Sequence, residues 1–140
     1  MAHTFNHRVY YSDTDAGGIV YHARYLDMAE HARTELLRTI TEAQENQSEI
    51  MNASHIGFIV SSLSADYHLP ARLDDLLTVH TSIKQLRRFS LTFIQEVKRG
   101  ETPIATLSVK VAAISFETEK PIAFPSWFVK EVEQLGISVQ

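Results

Sequence analysis

The chain contains no cysteine, so disulfides, thiolate zinc sites and a cysteine nucleophile are excluded together, and a reducing cytoplasm is the expected compartment. Long apolar runs are also missing. No window approaches the ~20 apolar residues of a membrane span, and no apolar export segment follows the first residues, so a soluble intracellular protein is expected. Cationic excess is absent: a formal net charge of −4 argues against a general nucleic-acid binder, which would rest on many Lys and Arg contacts to phosphate. Nor does the chain contain a G-x-S-x-G elbow, a G-x-x-x-x-G-K-[ST] loop, an H-E-x-x-H pair or a G-x-G-x-x-G fingerprint. Glycine is scarce, five in 140 residues, yet two stand side by side at Gly17 and Gly18, between a carboxylate and the start of a helical pattern.

What is present reads as one domain over residues 1–140, a size that buries roughly 68–70% of the surface its unfolded chain exposes. Residues 5–11 predict a first strand with Phe5, His7, Val9 and Tyr11 on one face. Residues 21–40 predict a long helix whose buried stripe is Tyr21, Tyr25, Met28, Ala29, Ala32, Leu36 and Ile40. A weaker helix is expected over residues 42–53. From Phe58 onward β-branched and aromatic residues alternate with polar ones in four strands, and Ala105, Leu107, Val109, Val111 and Ala113 share one face of the last. "KRGET" reads as a hairpin connection and "LPARLDD" as a turn. A closing amphipathic segment over 126–135 has Ser126 as its expected cap. The order strand, long helix, four strands gives an α+β fold: a five-stranded, largely antiparallel sheet with the helix across one face. Its edges and uncovered apolar surface favour a homodimer.

The candidate chemistry lies in "DTDAGGIVYH". The glycines let the backbone turn tightly beside a ligand, and the following helix offers unsatisfied N–H groups at its first turn. Backbone donors from Gly18 to His22 are therefore candidates for an oxyanion site, with the Asp15 carboxylate three residues ahead of Gly18. The plainer reading is that Asp13, Thr14 and Asp15 are turn and capping residues, that His22 is a packed helix histidine, and that Tyr21 and Tyr25 belong to the core stripe. Asp27 and His31, four apart, are too few for a metal site and read as a solvent-facing contact. Arg87 and Arg88, with Lys84, Lys98 and Arg99 nearby, read either as a solvated strand end or as a phosphate contact.

The run Arg8-Val9 followed by "YYSDTDAGGIVYHARY" resembles the signature of the 4-hydroxybenzoyl-CoA thioesterase-like hotdog family. "EHARTE" over 30–35 and "DYHLPARLDD" over 66–75 extend the likeness, which is strongest to the YbgC-type acyl-CoA thioesterases found beside Tol-Pal envelope genes. The resemblance implies a hotdog fold, a sheet wrapped around the long helix, with subunits joining their sheets into dimers and often into homotetramers, and active sites between subunits. It implies hydrolysis of an acyl-CoA, of short aliphatic or aromatic acyl group, with no metal or redox cofactor. Asp15 matches the family's catalytic carboxylate, and the amide at His22 matches the group that polarises the thioester carbonyl. Tyr11, His22, Gly18, Tyr21 and Tyr25 are the expected substrate-side residues, and Arg87 and Arg88 the candidates for the CoA phosphates. The branch usually has Glu where this chain has Ser12, and Tyr where it has His68, so acyl preference stays open; Phe58, Val60, Ser62, His68 and Phe89 are candidate pocket residues.

Two competing functions remain at this point. A hotdog hydratase or dehydratase would add water to an enoyl thioester without releasing a thiol. A noncatalytic module would bind acyl-CoA or acyl-carrier protein, an acidic partner suited to Arg87, Arg88 and Lys98.

Overall fold

The computed structural model describes residues 2–42 and 56–134. In chain order these form β1 (His3–Arg8), one 3-10 turn (Tyr11–Asp13), α1 (Arg24–Glu42), β2 (Ile56–Tyr67), β3 (Leu76–Leu86), β4 (Ser90–Arg99), β5 (Thr102–Ser115) and α2 (Ser126–Gln134). The strands make one sheet in the order β1-β3-β4-β5-β2, and every neighbouring pair is antiparallel.

Period-two patterning sets the buried face. Leu77, Val79, Thr81 and Ile83 of β3, Leu91, Phe93, Gln95 and Val97 of β4, and Leu107, Val109, Val111 and Ala113 of β5 all point inward. On that face α1 lies along β3 and β1, burying Tyr25, Met28, Ala29, Ala32, Leu36 and Ile40. Its alanines bring the helix close to the sheet, and the bulkier residues fill the flanks. Three polar side chains, Gln95, Thr81 and Arg33, sit inside this seam: Gln95 donates to the Ala29 carbonyl at 2.9 Å and to Thr81 Oγ1 at 3.0 Å, and accepts from Arg33 at 2.9 Å. The helix residue Arg33, absent from the expected stripe, is buried by this bond.

Several expectations need correction. β1 ends at Arg8, because the chain turns into the 3-10 segment, and Tyr11 is 80% exposed rather than on the strand's inner face. The long helix starts at Arg24, and Tyr21 lies outside it, half exposed. The first helical turn of α2 is closed by the Pro125 carbonyl, which accepts from Phe128 and Val129, so Ser126 is the first helical residue and not its cap. The weaker helix expected over 42–53 lies, beyond Glu42, outside the described residues. "KRGET" is a two-residue hairpin between Arg99 and Thr102, with Gly100 at φ +61° as a II′-like turn requires at its first position. No helix among the described residues is long and apolar enough to cross a membrane.

Candidate active site

The segment between β1 and α1 is a closed loop. Thr14 and Val20 form an antiparallel bridge, and the Asp15 amide donates to the Ile19 carbonyl at 2.9 Å. Inside it the Gly18 amide donates to the Asp15 carbonyl at 3.0 Å, and the Gly17 amide to Asp15 Oδ1 at 2.8 Å. Gly18 adopts φ +80°, a region L side chains rarely enter, which explains the second glycine. The pair thus turns the chain around Asp15 while one carboxylate oxygen is held by a backbone donor.

Asp13 and Asp15 have opposite surroundings. Asp13 is 5% exposed; its Oδ2 accepts from the Tyr10 amide at 2.9 Å and from His7 Nε2 at 2.8 Å, and Oδ1 lies 3.4 Å from Arg24 Nε. Burial works to raise its carboxyl, but the Tyr10 amide, His7 and Arg24 outweigh it and hold the group below the usual carboxylate value. Asp15 is exposed and borders a cleft of about 420 Å³. The other walls are Ile19, Val20, His22, Tyr25 and the stretch Tyr67, His68, Leu69, Pro70.

Elements distant in sequence meet in this cleft. Tyr67, the last residue of β2, donates its hydroxyl to the His22 carbonyl at 3.1 Å, and its ring lies 5.7 Å from that of Tyr25. The His22 ring sits 4.5 Å from Tyr21 and edge-on to Tyr67 at 6.2 Å. Tyr25 is buried in the floor; burial pushes its phenol up, partly opposed by the hydrogen bond from the Ala71 amide. His68 Nε2 is bonded to Thr106 Oγ1 at 2.9 Å.

The donors available to an oxyanion are fewer than the spacing suggested. The amides of Gly18, Val20 and Tyr21 already bond to the carbonyls of Asp15, Ala71 and Asp13. Among the described residues, those of His22 and Ala23 have no partner, and they lie just before the first turn of α1.

Of the residues singled out from sequence, Asp15, His22 and Tyr25 line one cleft; Gly18 shapes the turn beside it, and Tyr21 supports the His22 ring from outside the lining. Tyr11 is not among the lining residues. Arg87 and Arg88 sit in the turn between β3 and β4, at the end of β3 opposite Asp15. The length of β3 puts them roughly 30 Å away within one chain. They border another cavity with Leu86, Phe124, Val129 and Glu133, and the Arg88 guanidinium lies over the Phe89 ring. Of the candidate pocket residues only His68 reaches the Asp15 cleft; Phe58 and Val60 line a separate space with Arg33 and Phe116. Asp27 pairs with Arg24 and His31 with Glu30, not with each other.

Sequence reasoning missed Tyr67, Leu69, Pro70, Ile19 and Val20 as cleft walls. Tyr67 and Pro70 carried a signal as the end of a strand and the start of a turn. Nothing local says that this end returns to the helix start.

Residues 9–132 match the Thioesterase-like superfamily. The acyl-CoA thioesterase YbgC of Haemophilus influenzae is 43% identical over 122 residues, 87% of this chain and 88% of that protein. The acyl-CoA thioester hydrolase YbgC of Escherichia coli O6:H1 is 41% identical over 128 residues, 91% of this chain and 92% of that protein. A solved structure, the probable thioesterase from Bartonella henselae, matches with a TM-score of 0.74 at 35% identity, covering 89% of this chain and 98% of the other.

Proposed function

From the premise that this chain belongs to the thioesterase-like superfamily, we propose that the cleft at Asp15 is where it hydrolyses acyl-CoA. The chain is an acyl-CoA thioester hydrolase of hotdog fold. The observation that carries the site reading is that one cleft is lined by both an exposed carboxylate, Asp15, and His22, whose amide is unengaged among the described residues.

The thioester carbonyl oxygen faces the His22 and Ala23 amides at the positive end of α1, where negative charge developing on it is stabilised. Loss of one such donor costs about 3–4 kcal/mol of barrier. Asp15 Oδ1 is held by Gly17, and the second oxygen meets either a water, as general base, or the carbonyl carbon, as nucleophile. In the general-base route water adds to the acyl carbon and its oxygen ends in the acid; in the nucleophilic route the Asp15 oxygen joins the acyl carbon in a mixed anhydride that water then opens. In both the C–S bond breaks and the thiolate takes a proton to leave as CoA. The His22 imidazole, between Tyr21 and Tyr67, places substrate or water. Single-turnover hydrolysis in ¹⁸O-water tests the nucleophilic route: an unlabelled first acid, with the label left in Asp15, requires an anhydride that water opens at the Asp15 carbon.

The complete site belongs to a homodimer. β2 is an edge strand, and Phe58, Ile59, Val60, Leu63 and Tyr67 along it are all more than a third exposed. Two β2 strands paired antiparallel about a two-fold axis would bring the Tyr67 end of one against the Ile56 end of the other. Ile56 pairs with Ser115 and Ala112 with Ser90, so the turn carrying Arg87 and Arg88 belongs to that Ile56 end. The partner's Arg87 and Arg88 then approach the cleft that this chain's own pair cannot reach, where they suit the CoA phosphates. Such a protein works in the cytoplasm, with acyl-CoA as substrate and acyl-carrier protein as a second acyl donor to test.

Thiol release from aliphatic and aromatic acyl-CoAs tests the site. Asp15→Asn should keep its unfolding midpoint and lose at least about a thousandfold in turnover, about 4 kcal/mol of barrier. A folded, fully active Asp15→Asn protein removes Asp15 from the reaction.

A further inference from the structure

Asp13 lies outside the cleft lining and its carboxylate is buried, so it cannot meet substrate. Its contacts nonetheless reach β1, the turn after it and the start of α1, which hold the segment from Asp15 to His22. The carboxylate is bonded to His7 on β1 and to the Tyr10 amide in the turn, and it lies beside Arg24, the first residue of α1. Its carbonyl accepts the Tyr21 amide at 2.9 Å, closing the segment that carries Asp15 at one end and His22 just beyond the other.

Arg24 depends on this arrangement. Its Nε is buried with no hydrogen-bond partner, and Asp13 Oδ1 at 3.4 Å is the charge that compensates it; its Nη1 goes outward to Asp27 at 3.0 Å. The charged and titratable groups around Asp13 are therefore His7 from β1 and Arg24 from α1, with Asp27 acting through Arg24. With the Asp13 charge gone, the Arg24 Nε–H stays buried and unpaired while Asp27, on the outer side, is the guanidinium's remaining anion, so the side chain is drawn outward toward Asp27 and water. Arg24 begins α1, and its own amide donates to the Tyr21 carbonyl at 2.9 Å, so the Asp13–Arg24 contact and this bond together tie the Tyr21 to Ala23 backbone to the cage around Asp13.

We infer that Asp13 is a positioning residue for thioester hydrolysis: by clamping His7 and Arg24 it fixes the His22 and Ala23 amides relative to the Asp15 carboxylate. The inference rests on the site proposed above. It assigns the two aspartates different work, Asp15 at the reacting carbon and Asp13 beneath it. A misplacement of about 1 Å at an active site can cost a hundredfold in rate, so a loss of clamping is readable in turnover before it is readable in folding.

The test uses the full chain and thiol release, with unfolding midpoints measured for every variant. Asp13→Asn keeps the shape and removes the charge; it should lower kcat at least about tenfold with KM within about twofold, the signature of an interaction that matters in the transition state. Arg24→Met should do likewise, and the double variant should lose little more than the worse single one, because both remove the same clamp. Ile83→Ala, in the core toward the end of β3 far from the cleft, supplies a variant of lowered midpoint whose kcat should stay within about twofold of the unaltered protein.

An unchanged kcat in folded Asp13→Asn overturns the inference, as do losses that simply multiply in the double variant. So does an Ile83→Ala protein that loses kcat equally at a matched midpoint. If Asp13→Asn fails to fold, Arg24→Met carries the test alone, and an unchanged kcat there overturns it. The underlying site fails separately: active Asp15→Asn removes the site, whereas inactive Asp15→Asn beside unaffected Asp13→Asn removes only the positioning role.

Discussion

Asp13 and Asp15 are one residue type two positions apart, and packing alone gives one a buried cage and the other an open cleft. The difference has a thermodynamic signature. An aspartate in the unfolded chain titrates near about 3.9, while folded Asp13 is held lower because the Tyr10 amide, His7 and Arg24 together outweigh its burial. A depressed carboxyl contributes stability that is present above the unfolded value and lost as pH falls through the folded one. Asp13→Asn should therefore lower the unfolding midpoint at pH 7, and its gap from the unaltered protein should close below about pH 4. A gap of constant size from neutral to acid pH, followed by circular dichroism, would show that shape and not charge is what Asn fails to reproduce. This distinction was not legible in the sequence. "DTD" showed two carboxylates near a turn, but the cage around Asp13 needs His7 from the preceding strand and Arg24 from the following helix.

The turn around Asp15 and the helix after it were partly legible as elements. Adjacent glycines in a chain with few of them signalled a tight turn, and Gly18 at φ +80° requires one. The two glycines should nevertheless respond differently to alanine. At Gly18 a Cβ meets nothing within 4 Å, so Gly18→Ala pays only backbone strain, roughly 1–2 kcal/mol of unfolding free energy, and retains turnover. At Gly17 a Cβ would lie 3.1 Å from Asp15 Oδ1, the oxygen that takes the Gly17 amide. Gly17→Ala should keep its midpoint and lose turnover several-fold as the carboxylate is pushed aside; equal turnover would show that the carboxylate needs no fixed place. The helical stripe was correct from Tyr25 onward but began one turn late in space. Tyr21 has helical spacing, yet its amide is drawn to the Asp13 carbonyl, and a backbone bond from outside the periodic segment leaves no trace in the period.

At the scale of the molecule, alternation made β3, β4 and β5 readable, while the order β1-β3-β4-β5-β2 depends on which strands meet, which alternation does not encode. The cleft suffers most from this, since Tyr67 to Pro70 arrive from across the sheet. The same topology leaves β2 as an apolar edge. Ile59→Lys should yield a monomer in sedimentation and lose most thiol release; a fully active monomer would show that one chain suffices. Arg88→Glu should raise KM more than it lowers kcat, and an unchanged KM would remove it from CoA binding. Beneath the site, meanwhile, Gln95 joins the Ala29 carbonyl, Thr81 and Arg33 in an otherwise apolar seam. Greasy surfaces tolerate sliding, because one leucine replaces another at little cost. A buried amide does not: shifted by one helical turn, about 5.4 Å, it would strand its donors and acceptors. The helix is thus seated like a key with a single notch, and the height at which its first amides stand above the Asp15 turn is set at the central strand of the sheet rather than at the surface where substrate arrives.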